Sequence, residues 1–65
     1  MNDYKLLALI VKELQKLKQE REAYAAAGRC DNIEEYRKVC GVVLGLTYAE
    51  NIIEDLVQRM EKSDD

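Results

Sequence analysis

The sequence predicts an all-α protein: one antiparallel two-helix hairpin, assembled into a four-helix bundle or a larger homo-oligomer. Three observations support this fold class. The 65 residues contain no proline. Alanine, leucine, glutamate, lysine and arginine are abundant, as is typical of helical proteins. A single short connection containing Gly28 separates two long stretches in which apolar residues recur at helical spacing. Residues 1–65 are therefore interpreted as one domain.

The first helix is predicted over residues 3–27. Asn2 or Asp3 can accept hydrogen bonds from the first free backbone N–H groups, and Gly28 can adopt the left-handed conformation that often follows a helix. A seam of residues spaced by three and four marks the face expected to meet the second helix. Its members are Leu7, Ile10, Leu14, Leu17, Arg21 and Tyr24. Arg21 is the polar position in this seam, and Glu35, Tyr36 or Tyr24 is its expected partner.

The second helix is predicted over residues 33–61, after a turn at 28–32 and before a frayed tail at 62–65. Asp31 or Asn32 is its expected cap, with Glu34 or Glu35 at the third helical position. Its seam comprises Val39, Val42, Leu46, Ala49, Ile53, Leu56 and Met60. A connection this short makes the helices antiparallel. Residues whose numbers sum to about 60 should then face each other, as in the pairs Leu46–Leu14, Ile53–Leu7 and Val39–Arg21.

The apolar surface exceeds what one hairpin can bury. Val43, Leu44, Tyr48, Ile52 and Val57 lie outside the predicted seam of the second helix. A helix that is apolar over much of its circumference must be covered on more than one side. We therefore expect self-association. The predicted interface consists of Tyr36, Gly41, Leu44, Gly45, Tyr48 and Ile52.

Gly41 and Gly45 lie four residues apart in the middle of the second helix. Each costs about 1 kcal/mol relative to alanine, which indicates that another helix or a bulky side chain approaches the backbone there. The alternative is that the two glycines accommodate Leu14 or a nearby side chain within the same hairpin.

The residue types argue against catalysis, cofactor binding and metal binding. The chain has no histidine and no glycine-rich phosphate loop, and its two cysteines do not form a CxxC pair. Glu50 and Glu54 are interpreted as solvated surface carboxylates. The cysteines are interpreted as reduced thiols, Cys40 half-buried and Cys30 near the turn.

Charge and hydropathy argue against some classes of partner and some cellular locations. The net charge of −3 opposes nucleic-acid binding. No apolar run reaches the length of a membrane span, and the first residues lack the pattern of a secretory signal. The expected location is the cytoplasm.

The second helix resembles a known group of proteins. The segments Glu35-Tyr36-Arg37-x-x-Cys40-Gly41-Val42-x-x-Gly45-Leu46 and Ala49-x-x-Ile52-Ile53-x-Asp55-Leu56-Val57 are similar to those of very short helical proteins of tailed bacteriophages, encoded near virion-structure genes. This resemblance implies a multi-copy accessory protein of the head, portal or tail, made in the host cytoplasm, that binds itself and a larger phage structural protein. The alternative is a phage regulatory protein that inhibits a host enzyme or polymerase.

Overall fold

The structure, a computed structural model that describes residues 3–63, is a hairpin of two helices packed against each other. Helix α1 spans Asp3–Ala26 and helix α2 spans Ile33–Ser63. The hairpin measures 51 × 16 × 12 Å, so its length is essentially that of α2. The predicted all-helical hairpin is confirmed for the described residues.

The element boundaries differ slightly from those expected. Helix α1 ends at Ala26, and α2 continues through Lys62 and Ser63, where fraying was expected. Of the two predicted caps of α1, Asn2 lies outside the described residues and Asp3 is the first helical residue. The remainder of the predicted tail, residues 64 and 65, also lies outside the described chain.

The C-terminus of α1 ends as the sequence predicts. Gly28 has a φ of +72°, the left-handed conformation that glycine adopts without steric cost. The Gly28 N–H donates to the carbonyl of Ala25 at 3.1 Å, and the Arg29 N–H donates to that of Tyr24 at 3.3 Å. These two bonds form a Schellman motif, which satisfies carbonyls that the helix itself leaves unpaired.

The N-terminus of α2 is capped by Asn32. Its Oδ1 accepts a hydrogen bond from the Glu35 N–H at 2.8 Å, and Glu35 Oε2 accepts one from the Asp31 N–H at 2.9 Å. This reciprocal arrangement is a variant of the capping box, in which the glutamate reaches one residue further back than usual. The turn is therefore held by backbone hydrogen bonds at the end of α1 and by side chains at the start of α2.

The predicted seams are wrong by one position at several places. Ile10 and Leu17 on α1, and Val42 and Leu56 on α2, are 40–47% exposed. In each case the next residue along the chain points towards the other helix. The less exposed residues that define this contact line are Leu7, Val11, Leu14, Lys18 and Arg21 on α1, and Val39, Val43, Leu46, Glu50, Ile53, Val57 and Met60 on α2. The apolar residues of each helix cover a wider part of its circumference than one neighbouring helix can contact. The middle of this apolar region therefore does not have to be the side that faces the other helix.

The pairing register also differs from the prediction away from the turn. Near the turn, Tyr24 bonds to Glu35, and these residue numbers sum to 59. In the middle of the hairpin, Lys18 bonds to Thr47 and Glu50, giving sums of 65 and 68 instead of about 60. The contacts therefore agree with the predicted register beside the connection at 27–32 and depart from it in the middle of the hairpin.

Candidate interaction surface

The interior of the hairpin is thin. Among the described residues, Val11 and Val39 are the apolar side chains that are buried, and each is still 7% exposed. Eleven large apolar side chains of the same part of the chain are exposed. Because large exposed apolar patches on soluble proteins usually mark interaction sites, the exposed faces of the hairpin are the candidate sites.

The six residues of the predicted interface all lie exposed on α2, but they do not form one group. Gly41, Gly45, Tyr48 and Ile52 lie on the side of α2 that faces away from α1, which we call the outer face. Tyr36 and Leu44 line an open groove of about 580 Å³ beside the turn. The structure separates the six residues into two neighbouring surfaces of α2.

Nothing in the hairpin occupies the space above the two glycines. A Cβ atom added at Gly41 or Gly45 would meet no atom within 4 Å. The interpretation that the glycines accommodate Leu14 or another residue of the same hairpin is therefore wrong. Tyr48 and Ile52 beside them are 60% and 61% exposed. The outer face thus combines a flat strip with two protruding apolar side chains.

A second apolar surface runs along one side of both helices. Its members are Leu6, Ile10 and Leu17 on α1, and Val42 and Leu56 on α2, which together we call the lateral face. Each precedes a contact-line residue by one position and is therefore turned by roughly 100° from it. Gly45 and Ile52 of the outer face also precede contact-line residues, so the two faces adjoin on α2. In two antiparallel helices, rotation in the same sense leads to the same side of the pair. The predicted seams had assigned four of these residues to the interior, namely Ile10, Leu17, Val42 and Leu56, whereas Leu6 lay outside the predicted seam of α1.

The groove on the opposite side is small and mostly apolar. Tyr36, Cys40 and Leu44 line it together with Ala25 and Ala26.

The two cysteines differ in exposure: Cys30 is half-buried and Cys40 is exposed. The expectation that Cys40 is half-buried is therefore wrong, because Cys40 follows Val39 by one position and turns out of the contact between the helices. A hydrogen bond with Cys40 raises the pKa of the Tyr36 hydroxyl. Burial, more than any nearby charge, raises the pKa of the Cys30 thiol, which leaves less of the reactive thiolate.

A buried ion pair lies in the middle of the contact line. Lys18 Nζ is 3.0 Å from Glu50 Oε2 and donates a second, longer bond of 3.4 Å to Thr47 Oγ1. Glu50 is 5% exposed, so its interpretation as a solvated carboxylate is wrong. A signal was present in the sequence, since Lys18 follows Leu14 by four residues and Val11 by seven, the spacing of one helix face.

Arg21 lies half-buried at the turn end of the hairpin. Its guanidinium is 5.3 Å from the centre of the Tyr24 ring, and that of Arg29 is 5.6 Å from the same ring. The Tyr24 hydroxyl donates to Glu35 Oε1 at 2.7 Å. The pKa of Glu35 is lowered mainly by the hydrogen bond from the Asp31 N–H and, to a smaller extent, by the bond from the Tyr24 hydroxyl. The same Tyr24–Glu35 bond raises the pKa of Tyr24. This group holds the turn together.

Within residues 3–63, no three cysteine, aspartate or glutamate side chains come close enough to hold a metal ion. Neither described helix offers an apolar stretch of the length that a bilayer crossing requires.

Comparison with known proteins adds no relative: the chain matches no protein-family model, no curated protein and no solved structure. The roles of the lateral and outer faces therefore follow from their own geometry and chemistry.

Proposed function

We propose that this chain is a small structural or assembly protein that acts by protein–protein contact, and first by associating with copies of itself. The observation that carries the proposal is the imbalance between a thin interior and a broad apolar exterior. Two apolar side chains are buried, against eleven large ones exposed, in the described part of the chain. A domain this small needs a supplement to its core, and association supplies one.

The lateral face has the geometry that a bundle requires. In a four-helix bundle, each helix contacts one neighbour within its hairpin and another across the bundle. The contact line serves the first neighbour, and the lateral face, turned to one side of both helices, is suited to the second. Covering its five half-exposed side chains would contribute on the order of 5 kcal/mol, which is comparable to the net stability of a small domain.

Solution mass tests the proposal. We expect light scattering to give a mass that rises above the 7.5 kDa of one chain between about 10 µM and about 1 mM, since dimers of modest affinity form in that range. Leu17→Lys should lower the mass at a fixed concentration, because it places a charge in the lateral face. Gln15→Lys introduces the same residue on an exposed position of the other side and should leave the mass unchanged.

Two outcomes would count against this proposal in different ways. A wild-type protein that is monomeric and folded at the highest concentration would remove self-association. An oligomer that is indifferent to Leu17→Lys would retain self-association but exclude the lateral face.

We also propose that the chain acts in a phage, because the sequence of α2 resembles that of short phage proteins. In that context the oligomer is an accessory component of the head, portal or tail, bound to a larger structural protein. Quantitative mass spectrometry of purified particles from a phage that encodes the chain should then find it in many copies per particle. Its absence from particles, together with host growth arrest on expression and a co-purifying host enzyme, would favour the regulatory alternative.

A further inference from the structure

The outer face of α2 is complementary to itself. Eight residues spaced alternately by four and three form this face, on the side of α2 away from α1, and Arg37 and Leu56 flank it: Glu34, Lys38, Gly41, Gly45, Tyr48, Ile52, Asp55 and Arg59. We propose that this face pairs with the same face of a second copy, α2 against α2 in antiparallel orientation. This inference rests on the proposed self-association and specifies one contact within it.

The uncharged residues of the outer face match each other in size. An antiparallel pair related by a two-fold axis brings together residues whose numbers have a constant sum. With a sum of 93, Gly41 lies opposite Ile52, and Gly45 lies opposite Tyr48. The space above both glycines is empty in the hairpin, and Tyr48 and Ile52 are the most exposed large side chains beside it, at 60% and 61%. Each protruding side chain of one copy therefore meets the flat strip of the other.

The charged residues of the outer face match in the same register. At a sum of 93, Glu34 lies opposite Arg59, and Lys38 lies opposite Asp55. Arg59 and Asp55 already form an ion pair at 2.7 Å, and more than 60% of each side chain is exposed. The partner's acidic and basic residues thus arrive next to a preformed pair of opposite charges. Two clusters of four charges result, one at each end of the contact.

Alternative occupants fit this face less well. In a parallel pair of α2 helices, each residue would meet its own copy, which leaves the two glycines facing glycines and places like charges against each other, and the like charges disfavour association. Binding of an unrelated protein would not explain why a single register of α2 against itself aligns two pairs of residues that match in size and two pairs that match in charge. A second copy of this chain is therefore the occupant that the pattern favours.

Exchange of the charges tests the contact. Lys38→Glu and Asp55→Lys should each weaken self-association about tenfold, because every lost pair occurs twice in a two-fold contact. The double variant should associate at least as tightly as the wild type, since the exchanged charges again attract each other across the contact. The measurement is the concentration at which the mass from sedimentation equilibrium is midway between monomer and oligomer, with circular dichroism to confirm equal helix content.

The design separates this contact from general charge effects. The net charge of −3 becomes −5 in Lys38→Glu and −1 in Asp55→Lys, so general repulsion would move the two variants in opposite directions. Both are expected to weaken association. Lys16→Glu, on the side of α1 that faces away from α2, also gives −5 and should have little effect.

The possible results are distinguishable. Weakening by both single substitutions with recovery in the double variant supports the α2–α2 contact. An oligomer whose midpoint is unaffected by either substitution, or is not restored by the double variant, overturns this contact and leaves the proposed self-association standing. A wild-type protein that stays monomeric at millimolar concentration overturns both.

Discussion

Lys18 and Glu50 form an ion pair at 3.0 Å in the middle of an otherwise mostly apolar contact between α1 and α2. The Glu50 side chain is 7% exposed and that of Lys18 is 22% exposed. Removing charges from water is costly, and a buried pair repays that cost only while both partners remain. We therefore expect the pair to matter more for which residues of the two helices lie side by side than for net stability.

Removal of one partner should be worse than removal of both. Lys18→Met should lower the free energy of unfolding by about 2–3 kcal/mol, since it leaves Glu50 buried without a cation. Lys18→Met combined with Glu50→Leu should restore or exceed the wild-type value. Urea denaturation at one fixed protein concentration measures both. Lys12→Met, at an exposed position on the same helix, is the matched control and should change stability little.

A loss below about 1 kcal/mol in Lys18→Met would contradict this account, because exposed ion pairs are worth about that much or less. A double variant as unstable as the single one would show that the packing of the two aliphatic stems, and not the charge pairing, is what Lys18 and Glu50 provide.

The two helices, the glycine stop and the cap of α2 could be predicted because each depends on neighbours in the sequence. The turn chemistry of Gly28 and Asn32 is local, and the structure shows both in the expected roles. The contact line could not be predicted in the same way. Ile10 and Val11 are both apolar, and periodicity alone does not say which of them faces the partner helix. The choice depends on where α2 lies, and that depends partly on the buried Lys18–Glu50 pair.

The candidate surface was predictable to a similar degree. The exposed glycines and apolar residues of α2 were recognisable as an excess over what one hairpin needs. Whether Gly41 and Gly45 served the hairpin or another molecule depended on the empty space above them, which only three-dimensional geometry shows. The separation of Tyr36 and Leu44 from the outer face likewise depends on where α1 lies beside α2, since both residues line a groove together with residues of α1.

The cap of α2 should be measurable by itself. Asn32→Ala removes the acceptor for the Glu35 N–H and should lower the free energy of unfolding by about 1 kcal/mol. Asn32→Asp keeps an acceptor and should retain most of the stability. Thermal unfolding followed by circular dichroism compares the variants, with the exposed mid-helix residue changed in Asn51→Ala as control. Asn51→Ala should not lower the unfolding temperature, because alanine is the better helix former, and an Asn32→Ala variant that unfolded at the wild-type temperature would show that the cap contributes nothing.

Glu35 should make the hairpin sensitive to acid. Its pKa in the folded state lies below the ordinary value of 4.5, because the Asp31 N–H and the Tyr24 hydroxyl donate to the carboxylate. The folded state therefore binds this proton less readily than the unfolded chain does. The stabilisation is fully present above pH 4.5 and is lost as the pH falls through the lowered pKa.

Replacement of the titrating group tests this pH dependence. Glu35→Gln keeps an acceptor but cannot titrate, so the free energy of unfolding should fall less than that of the wild type between about pH 5 and about pH 3. Glu34→Gln leaves the Tyr24 and Asp31 bonds in place and should keep the wild-type slope. Identical slopes for the wild type and Glu35→Gln would show that other carboxylates cause the acid sensitivity.

The glycines should respond to alanine with opposite signs. Gly45→Ala should raise the stability of the isolated hairpin by about 1 kcal/mol through helix propensity, because the added methyl group meets no atom of the chain. The same methyl group should weaken self-association, since it occupies the strip on which a second copy packs. Gly28→Ala should instead lower stability by about 1–2 kcal/mol, because the φ of +72° strains an L-residue.

Unfolding at high dilution and sedimentation at high concentration separate the two effects of Gly45→Ala. If that variant associated as tightly as the wild type, the strip would not be a contact, and the glycine would remain a cost to the helix without a compensating interaction.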